Sequence, residues 1–182
     1  MSTDVNLLGK HNQINIMAAI AIFKQLDNKF NGIDSALKKF PVINNRLEWV
    51  KEVNGINFYN DSKATNISSA IAAVNAFEGK NIFLIVGGDS KRQNLSLFSE
   101  AIKNKIKKLY LIGKDAELIK NACKSLEIKI VILKTMKEAI HQAFNDAKSG
   151  DIILLAPACA SHDMYRNYIE RGNDFKSIVA NY

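Results

Sequence analysis

The chain has 182 residues, 47% of them hydrophobic, and carries 25 Lys and Arg against 18 Asp and Glu, a formal net charge of +7. That length and apolar content suit one folded domain, or one domain with an appendage, and exclude a disordered chain. Its two cysteines, Cys123 and Cys159, lack C-x-x-C spacing and exclude a disulfide framework or a cysteine zinc site. No window approaches the roughly eighteen unbroken apolar residues of a membrane span, and no secretory leader opens the chain, so a cytoplasmic protein without membrane insertion is expected.

After a polar start and the run Gly9-Lys10-His11-Asn12-Gln13-Ile14-Asn15, the residues Ile16, Ala19, Ile20, Phe23 and Leu26 fall on one helical face. Asn12 and Asn15 sit three apart on the first turn. There two carboxamides can hold a base edge, a phosphate-bound water or a neighbouring loop, or serve simply as one cap and one turn residue. A second helical piece, about 33 to 39, follows Asn31-Gly32 and stops before Pro41. A domain boundary is expected at roughly 41 to 46. From Arg46, Leu47, Trp49 and Lys51 alternate with Glu48, Val50 and Glu52, and Asn54-Gly55 predicts a hairpin turn. Strands and helices then alternate: strand 56–60, helix 66–78, strand 81–86, helix 94–104, strand 108–112, helix 115–125, strand 128–133, helix 136–148, strand 151–155, helix 163–180. The fold class this predicts is α/β, a doubly wound, mostly parallel, Rossmann-like sheet. The apolar runs 82–86 and 152–155 suit central strands covered on both faces.

Ligands of such a sheet collect beyond the carboxyl ends of its strands. Three segments there are polar. In Tyr59-Asn60-Asp61-Ser62-Lys63-Ala64-Thr65-Asn66, a strand-to-helix turn sets backbone N–H groups beside Asp61, Lys63 and Thr65. The turn can cradle an anion while the carboxylate holds hydroxyls or a metal, or Asp61 and Thr65 can merely cap the helix. In Gly87-Gly88-Asp89-Ser90-Lys91-Arg92 the glycines allow close backbone approach and Lys91 can pair with a carboxylate or phosphate; a solvated loop is the alternative. In Ala156-Pro157-Ala158-Cys159-Ala160-Ser161-His162-Asp163, Ser161 is either an N-cap or an anion ligand.

Other chemistries lack their patterns. His11, His141 and His162 have no metal-ligand spacing. Cys159 and His162, three apart, read as a small buried thiol near a histidine rather than an activated nucleophile. Gly87-Gly88 lacks the third glycine of a dinucleotide fingerprint, and no G-x-x-x-x-G-K-[ST] phosphate loop occurs. Lys103, Lys105, Lys107 and Lys108 read as the solvated end of a helix, not as a nucleic-acid patch.

Taken in order and spacing, His11-Asn12-x-x-Asn15, Arg46-Leu47-Glu48, the run 60–66, Gly87-Gly88-Asp89-x-Lys91, Pro157-Ala158-Cys159-Ala160-Ser161, Asp163 and Glu170-Arg171-Gly172 resemble the Mur ligase family of bacterial peptidoglycan synthesis. The Asp-Ser-Lys-Ala-Thr-Asn and Pro-Ala-Cys-Ala-Ser runs are similar to its D-glutamate-adding branch. The resemblance implies a C-terminal portion of such a ligase. Residues 1–45 would be the helical tail of its central ATPase domain and 46–182 its C-terminal, amino-acid-binding domain.

It further implies that Asn12, Asn15, Arg46 and Asp61 contact ATP, with Arg46 at the phosphates and Asp61 on the ribose. Lys63 would be catalytic, and Thr65, Lys91, Ser161 and Tyr168 would hold the two carboxylates of D-glutamate. The other partner is UDP-N-acetylmuramoyl-L-alanine. The phosphate loop, the Mg²⁺ ligands and most of the UDP-sugar site would lie in parts of the family's length absent here, leaving this chain inactive alone. The sequence departs from the family pattern at Asn45, usually His, at Ala156, usually Ser, and at Tyr168, where Phe is common. The alternative is a free-standing nucleotide- or amino-acid-binding module.

Overall fold

The computed structural model of the protein describes residues 9–26, 32–41 and 43–182. Asn54 and Gly55 both adopt left-handed backbone angles, φ 52° and 77°. A tight two-residue hairpin demands this, and the turn pairs β1 (Glu48–Val53) antiparallel with β2 (Ile56–Asn60). The register shifts between Trp49 and Lys51, so strict alternation along β1 fails. Val50 and Val53 pack on the core, while Trp49 stays exposed and its indole N–H donates to Asn57 Oδ1 at 2.9 Å.

Beyond the hairpin, β3 (Ile82–Gly87), β4 (Lys108–Ile112), β5 (Lys129–Ile132) and β6 (Ile152–Leu155) run parallel to β2. The strand order is β1-β2-β6-β3-β4-β5. Ile82, Leu84 and Val86 enter one core with Ile152 and Leu154, whereas Phe83 and Ile85 enter the other with Ile153 and Leu155. The continuous apolar runs are therefore two period-two patterns superposed, each burying its own face. Helices α3 (Ile67–Asn75), α4 (Leu95–Ile102) and α5 (Ala116–Ala122) cover the first face, and α6 (Met136–Asp146) and α7 (Tyr168–Ala180) the second. The chain steps outward from β3 to β5 and then returns to insert β6 between β2 and β3. This reversal opens the crevice where a doubly wound sheet binds ligands.

The last helix is shorter than expected. It starts at Tyr168 rather than at 163, because the Asn167 side chain accepts from the N–H groups of Ile169 and Glu170 while the Glu170 carboxylate accepts from Arg166 N–H at 2.7 Å. Ser161 is consequently not an N-cap. Its carbonyl accepts from Met164 and Tyr165 in a separate turn.

Helices α1 (Lys10–Leu26) and α2 (Ile33–Lys38) precede the sheet. On the expected apolar face of α1, Ile16 and Ile20 are half-buried while Ala19, Phe23 and Leu26 are exposed. Among the described residues, both core clusters are drawn from Leu47 onward. The turn expected at Asn31 lies outside the described residues. Among the described residues no helix is long and apolar enough to cross a membrane.

Candidate functional site at the strand ends

The segment after β2 is set by Asn60, whose side chain is fully buried. Its carbonyl oxygen accepts from Ser62 N–H at 3.0 Å, turning the chain out of the strand, and its amide donates to Asn45 Oδ1 at 3.0 Å and Glu48 Oε2 at 3.1 Å. Asn45 is left-handed (φ 61°), a conformation its short polar side chain tolerates, and a Cβ on Gly172 of α7 would lie 1.9 Å from its Oδ1. Glycine in mid-helix is the condition for this close approach.

One oxygen of Asp61 accepts from Leu47 N–H at 3.2 Å. Burial pushes this carboxyl up to about 6, against the lowering effects of that hydrogen bond and of Arg46. Arg46 and Asp61 are thus brought together, an exposed cation beside a buried, incompletely compensated acid. Lys63 is anchored by its N–H on Asn45 O at 3.0 Å, and its ammonium stands 3.9 Å from the centre of the Tyr168 ring, a cation–π contact. Helix α3 is capped by Asn66, which accepts from Ser69 N–H, so neither Asp61 nor Thr65 serves that purpose. Thr65 stays half-buried just before the cap.

After β3, Gly87 and Gly88 take φ of 140° and 129°, and a Cβ on either would meet a carbonyl oxygen, Ile112 O at 1.8 Å or Ala160 O at 2.1 Å. Only glycine lets the loops approach so closely. Asp89 and Ala160 exchange two backbone hydrogen bonds of 3.0 and 2.9 Å, joining the loops after β3 and β6. Asp115 accepts from both Ser90 N–H and Ser90 Oγ at 2.7 Å, and Asp163 accepts from Lys114 N–H at 2.8 Å, so the loop after β4 is tied in as well. Lys91 and Arg92 are consecutive left-handed residues (φ 50° and 58°) with exposed side chains. With Asp89, Ser90, Lys114, Asp115 and Leu118 they line an open cleft of about 520 Å³. The Lys91 N–H bond and the Lys114 ammonium, 3.5 Å away, hold the half-buried Asp89 carboxyl below its ordinary range.

Arg171 lies beneath these loops, 1% exposed. Its Nε donates to Ser62 Oγ at 3.0 Å, Nη2 to Ser62 O at 2.9 Å and Cys159 O at 3.1 Å, and Nη1 to Cys159 O at 3.1 Å and Gly87 O at 3.4 Å. Every one of these acceptors is a carbonyl or hydroxyl oxygen. Burial pulls the guanidinium down to about 10, which leaves it charged at neutral pH, so the tips of β2, β3 and β6 are clamped around a positive centre. The Cys159 thiol is buried and pushed up to about 12, chiefly by burial, and stays protonated; His162 is exposed. This is a structural cysteine, as its alanine neighbours suggested.

The segments carrying Thr65, Lys91 and Ser161 therefore meet at one end of the sheet, with Lys63 and Tyr168 in contact beside them and Arg46 next to Asp61. Asn12 and Asn15 lie on the first turns of α1, Asn12 half-buried and Asn15 exposed. Sequence reasoning missed Gln93, whose carboxamide bonds to three of these segments, and quoted Arg171 without its role. Neither has a local pattern, since the partners that tie them to other segments are distant in sequence. The lysine cluster needs one correction: Lys108 is not at a solvated helix end but opens β4, buried, with its ammonium on Asp146. Among the described residues, no three His, Cys, Asp or Glu side chains are grouped to hold a metal ion.

Residues 45–159 match the family described as Mur ligase, glutamate ligase domain. The chain is 39% identical to the UDP-N-acetylmuramoylalanine–D-glutamate ligase of Nitrosomonas europaea over 98% of its own length and 38% of that protein's. It is 43% identical to the enzyme of the same name from Clostridium botulinum, over 98% of this chain and 40% of the relative. It thus spans about two fifths of the length of these curated relatives. Its fold is similar to the UDP-N-acetylmuramate-alanine ligase MurC of Thermotoga maritima (TM-score 0.69, 16% identity, 97% of this chain and 39% of that one). It is also similar to the folylpolyglutamate synthase of Mycobacterium tuberculosis solved with ADP (TM-score 0.70, 14% identity, 97% and 42%).

Proposed function

The chain belongs to the Mur ligase family, and from that premise we propose that its strand-end site holds D-glutamate and one side of ATP within an ATP-dependent, ADP-forming ligase that joins D-glutamate to UDP-N-acetylmuramoyl-L-alanine. A carboxylate is a poor electrophile. Transfer of the ATP γ-phosphate to the carboxylate of the UDP-sugar substrate gives an acyl phosphate; the D-glutamate amine attacks that carbonyl, the amide bond forms and phosphate departs.

The work assigned to this chain is positioning. Thr65 and Lys91 take one carboxylate of the amino acid, Ser161 and the segment at Tyr168 the other. The ammonium of Lys63 faces the oxygens on which charge develops, and Arg46 and Asp61 take the phosphates and the ribose hydroxyls. Asn12 and Asn15 complete the nucleotide contact from α1. In this reading residues 46–182 form the amino-acid-binding domain and 1–45 the tail of an ATPase domain, a division supported by core clusters that begin at Leu47. The donor set described above does not suit a resident Mg²⁺, whose ligands are assigned, with the phosphate loop and most of the UDP-sugar site, to the part of the relatives' length that this chain does not span.

The observation that carries the reading is the cross-linking of three strand ends. A diacid needs two separated donor clusters held at fixed spacing, and Arg171 together with the Asp89–Ala160 bridge supplies the fixing. The test is a chimera in which this chain replaces the matching 38% of the Nitrosomonas europaea relative. We expect phosphate release that requires both D-glutamate and UDP-N-acetylmuramoyl-L-alanine, while the chain alone releases none. A folded chimera that uses another amino acid in preference to D-glutamate, or none, would overturn the proposal.

A further inference from the structure

Gln93 lies between the two donor clusters and touches neither substrate position directly. Its half-buried carboxamide spends both N–H groups on carbonyls, Ser90 O at 2.9 Å and Ala158 O at 3.0 Å, and its oxygen accepts from Ile67 N–H at 3.0 Å. Only this orientation of the amide satisfies all three partners, two acceptors and one donor. The three contacts fall on three different strand-end segments. Ser90 adjoins Lys91, Ile67 lies two residues past Thr65, and Ala158 lies three before Ser161. Ala158 is itself left-handed, φ 58°. The first N–H of α3, ordinarily free for an anion, is occupied here by a side chain.

We propose that Gln93 is a positioning residue that sets the distance between the Thr65–Lys91 and Ser161–Tyr168 clusters, and so selects a five-carbon over a four-carbon diacid. The inference rests on the D-glutamate reading above. A carboxamide bridging three loops fixes their separation more tightly than the backbone links alone, because each bond constrains a different loop. Loosening it lets the clusters drift toward spacings suited to D-aspartate.

The experiment uses the chimera described above with Gln93→Leu and Gln93→Glu, assayed with D-glutamate and D-aspartate, together with amide hydrogen exchange at Ile67 in the isolated chain. For Gln93→Leu we expect Ile67 to exchange faster, KM for D-glutamate to rise about tenfold with KM for ATP and kcat little changed, and the preference over D-aspartate to fall by a similar factor. Gln93→Glu keeps one donor when protonated and none when ionised, so its KM deficit relative to wild type should widen as pH rises. Unchanged KM and unchanged preference in an active Gln93→Leu chimera would overturn the positioning role and leave the D-glutamate reading standing. A wild-type chimera that ignores D-glutamate would overturn both. Equal losses for D-glutamate and ATP, or an effect on folding stability alone, would reduce Gln93 to a structural residue and refute the proposal.

Discussion

Two carboxylates at opposite ends of the same sheet have been driven in opposite directions. Asp146, at the end of α6, sits where β4 begins; burial raises its carboxyl, but hydrogen bonds from Lys108, Tyr110 and Gln142 outweigh that and hold it below its ordinary value. Asp61, where β2 ends, has a backbone N–H and a neighbouring Arg46, and burial carries it up to about 6. At the amino ends of the strands Asp146 meets the Lys108 ammonium, and Asp151 accepts from the Asn81 side-chain amide and from Lys148 N–H. The carboxyl ends keep a buried guanidinium on neutral oxygens and two exposed cations on a strained loop. One end is closed by its own pairs; the other, under the proposed reading, offers its exposed cations and its buried acid to a ligand.

The largest expected effect comes from removing the clamp. Arg171→Met leaves the carbonyls of Ser62, Gly87 and Cys159 without their donor, and should cost about 3–5 kcal/mol in urea unfolding, because buried acceptors lose partners that nothing else replaces. Arg171→Lys should recover little, since an ammonium cannot span three loops as the planar fork does. A loss near that of an ordinary surface substitution would mean the strand ends are held by the backbone alone.

Gly172→Ala comes next, and its sign is diagnostic. In an exposed helix this change stabilises by about 1 kcal/mol. Here the new methyl meets Asn45 Oδ1 at 1.9 Å and Asn60 Nδ2 at 3.0 Å, so a loss of about 2 kcal/mol is expected. In an Asn45→Ala background the loss should shrink or reverse, which a double-mutant cycle measures.

The two carboxylates give the smaller, paired test. A folded-state pKa above the unfolded one means that the folded protein binds the proton more tightly, so ionised Asp61 subtracts stability above about pH 6 and the penalty vanishes below the unfolded value near 3.8. Asp61→Asn should therefore stabilise at neutral pH by about 2 kcal/mol, with the gain disappearing in acid, while the same change in the chimera lowers its nucleotide-dependent activity. Asp146 has the opposite sign. Its contribution is present above the unfolded value and is lost as pH falls through its lower folded value, so Asp146→Asn should destabilise at neutral pH by about 1 kcal/mol, discounted for its partial exposure. Thermal melts of both variants across acid and neutral pH check this; shifts of the same sign would erase the contrast between the two ends.

Much of this was legible beforehand. The alternation from residue 56 onward, the Asn54-Gly55 hairpin and the three polar segments beyond the strands follow from short-range rules of period, turn chemistry and strand burial. What escaped was long-range. The Asn167 cap displaced the start of α7 because the residues after Ser161 are spent on a separate turn and on Asp163 reaching Lys114 N–H. Lys108 looked like one lysine in a solvated run, yet the strand that follows buries it against Asp146. Gln93 reaches Ile67 and Ala158, 26 and 65 residues away, and Arg171 reaches Gly87 and Ser62, 84 and 109 residues away, separations for which no sequence window carries a signal.

The claim that these loops form one diacid site is tested most directly by titrating the isotopically labelled chain with D-glutamate at millimolar concentrations and following its backbone amide resonances. The account predicts shifts concentrated at Lys63 to Asn66, Asp89 to Arg92 and Ala158 to His162, weaker with D-aspartate and absent at the Lys108–Asp146 end. Shifts confined to that opposite end, or none at any reachable concentration, would contradict it.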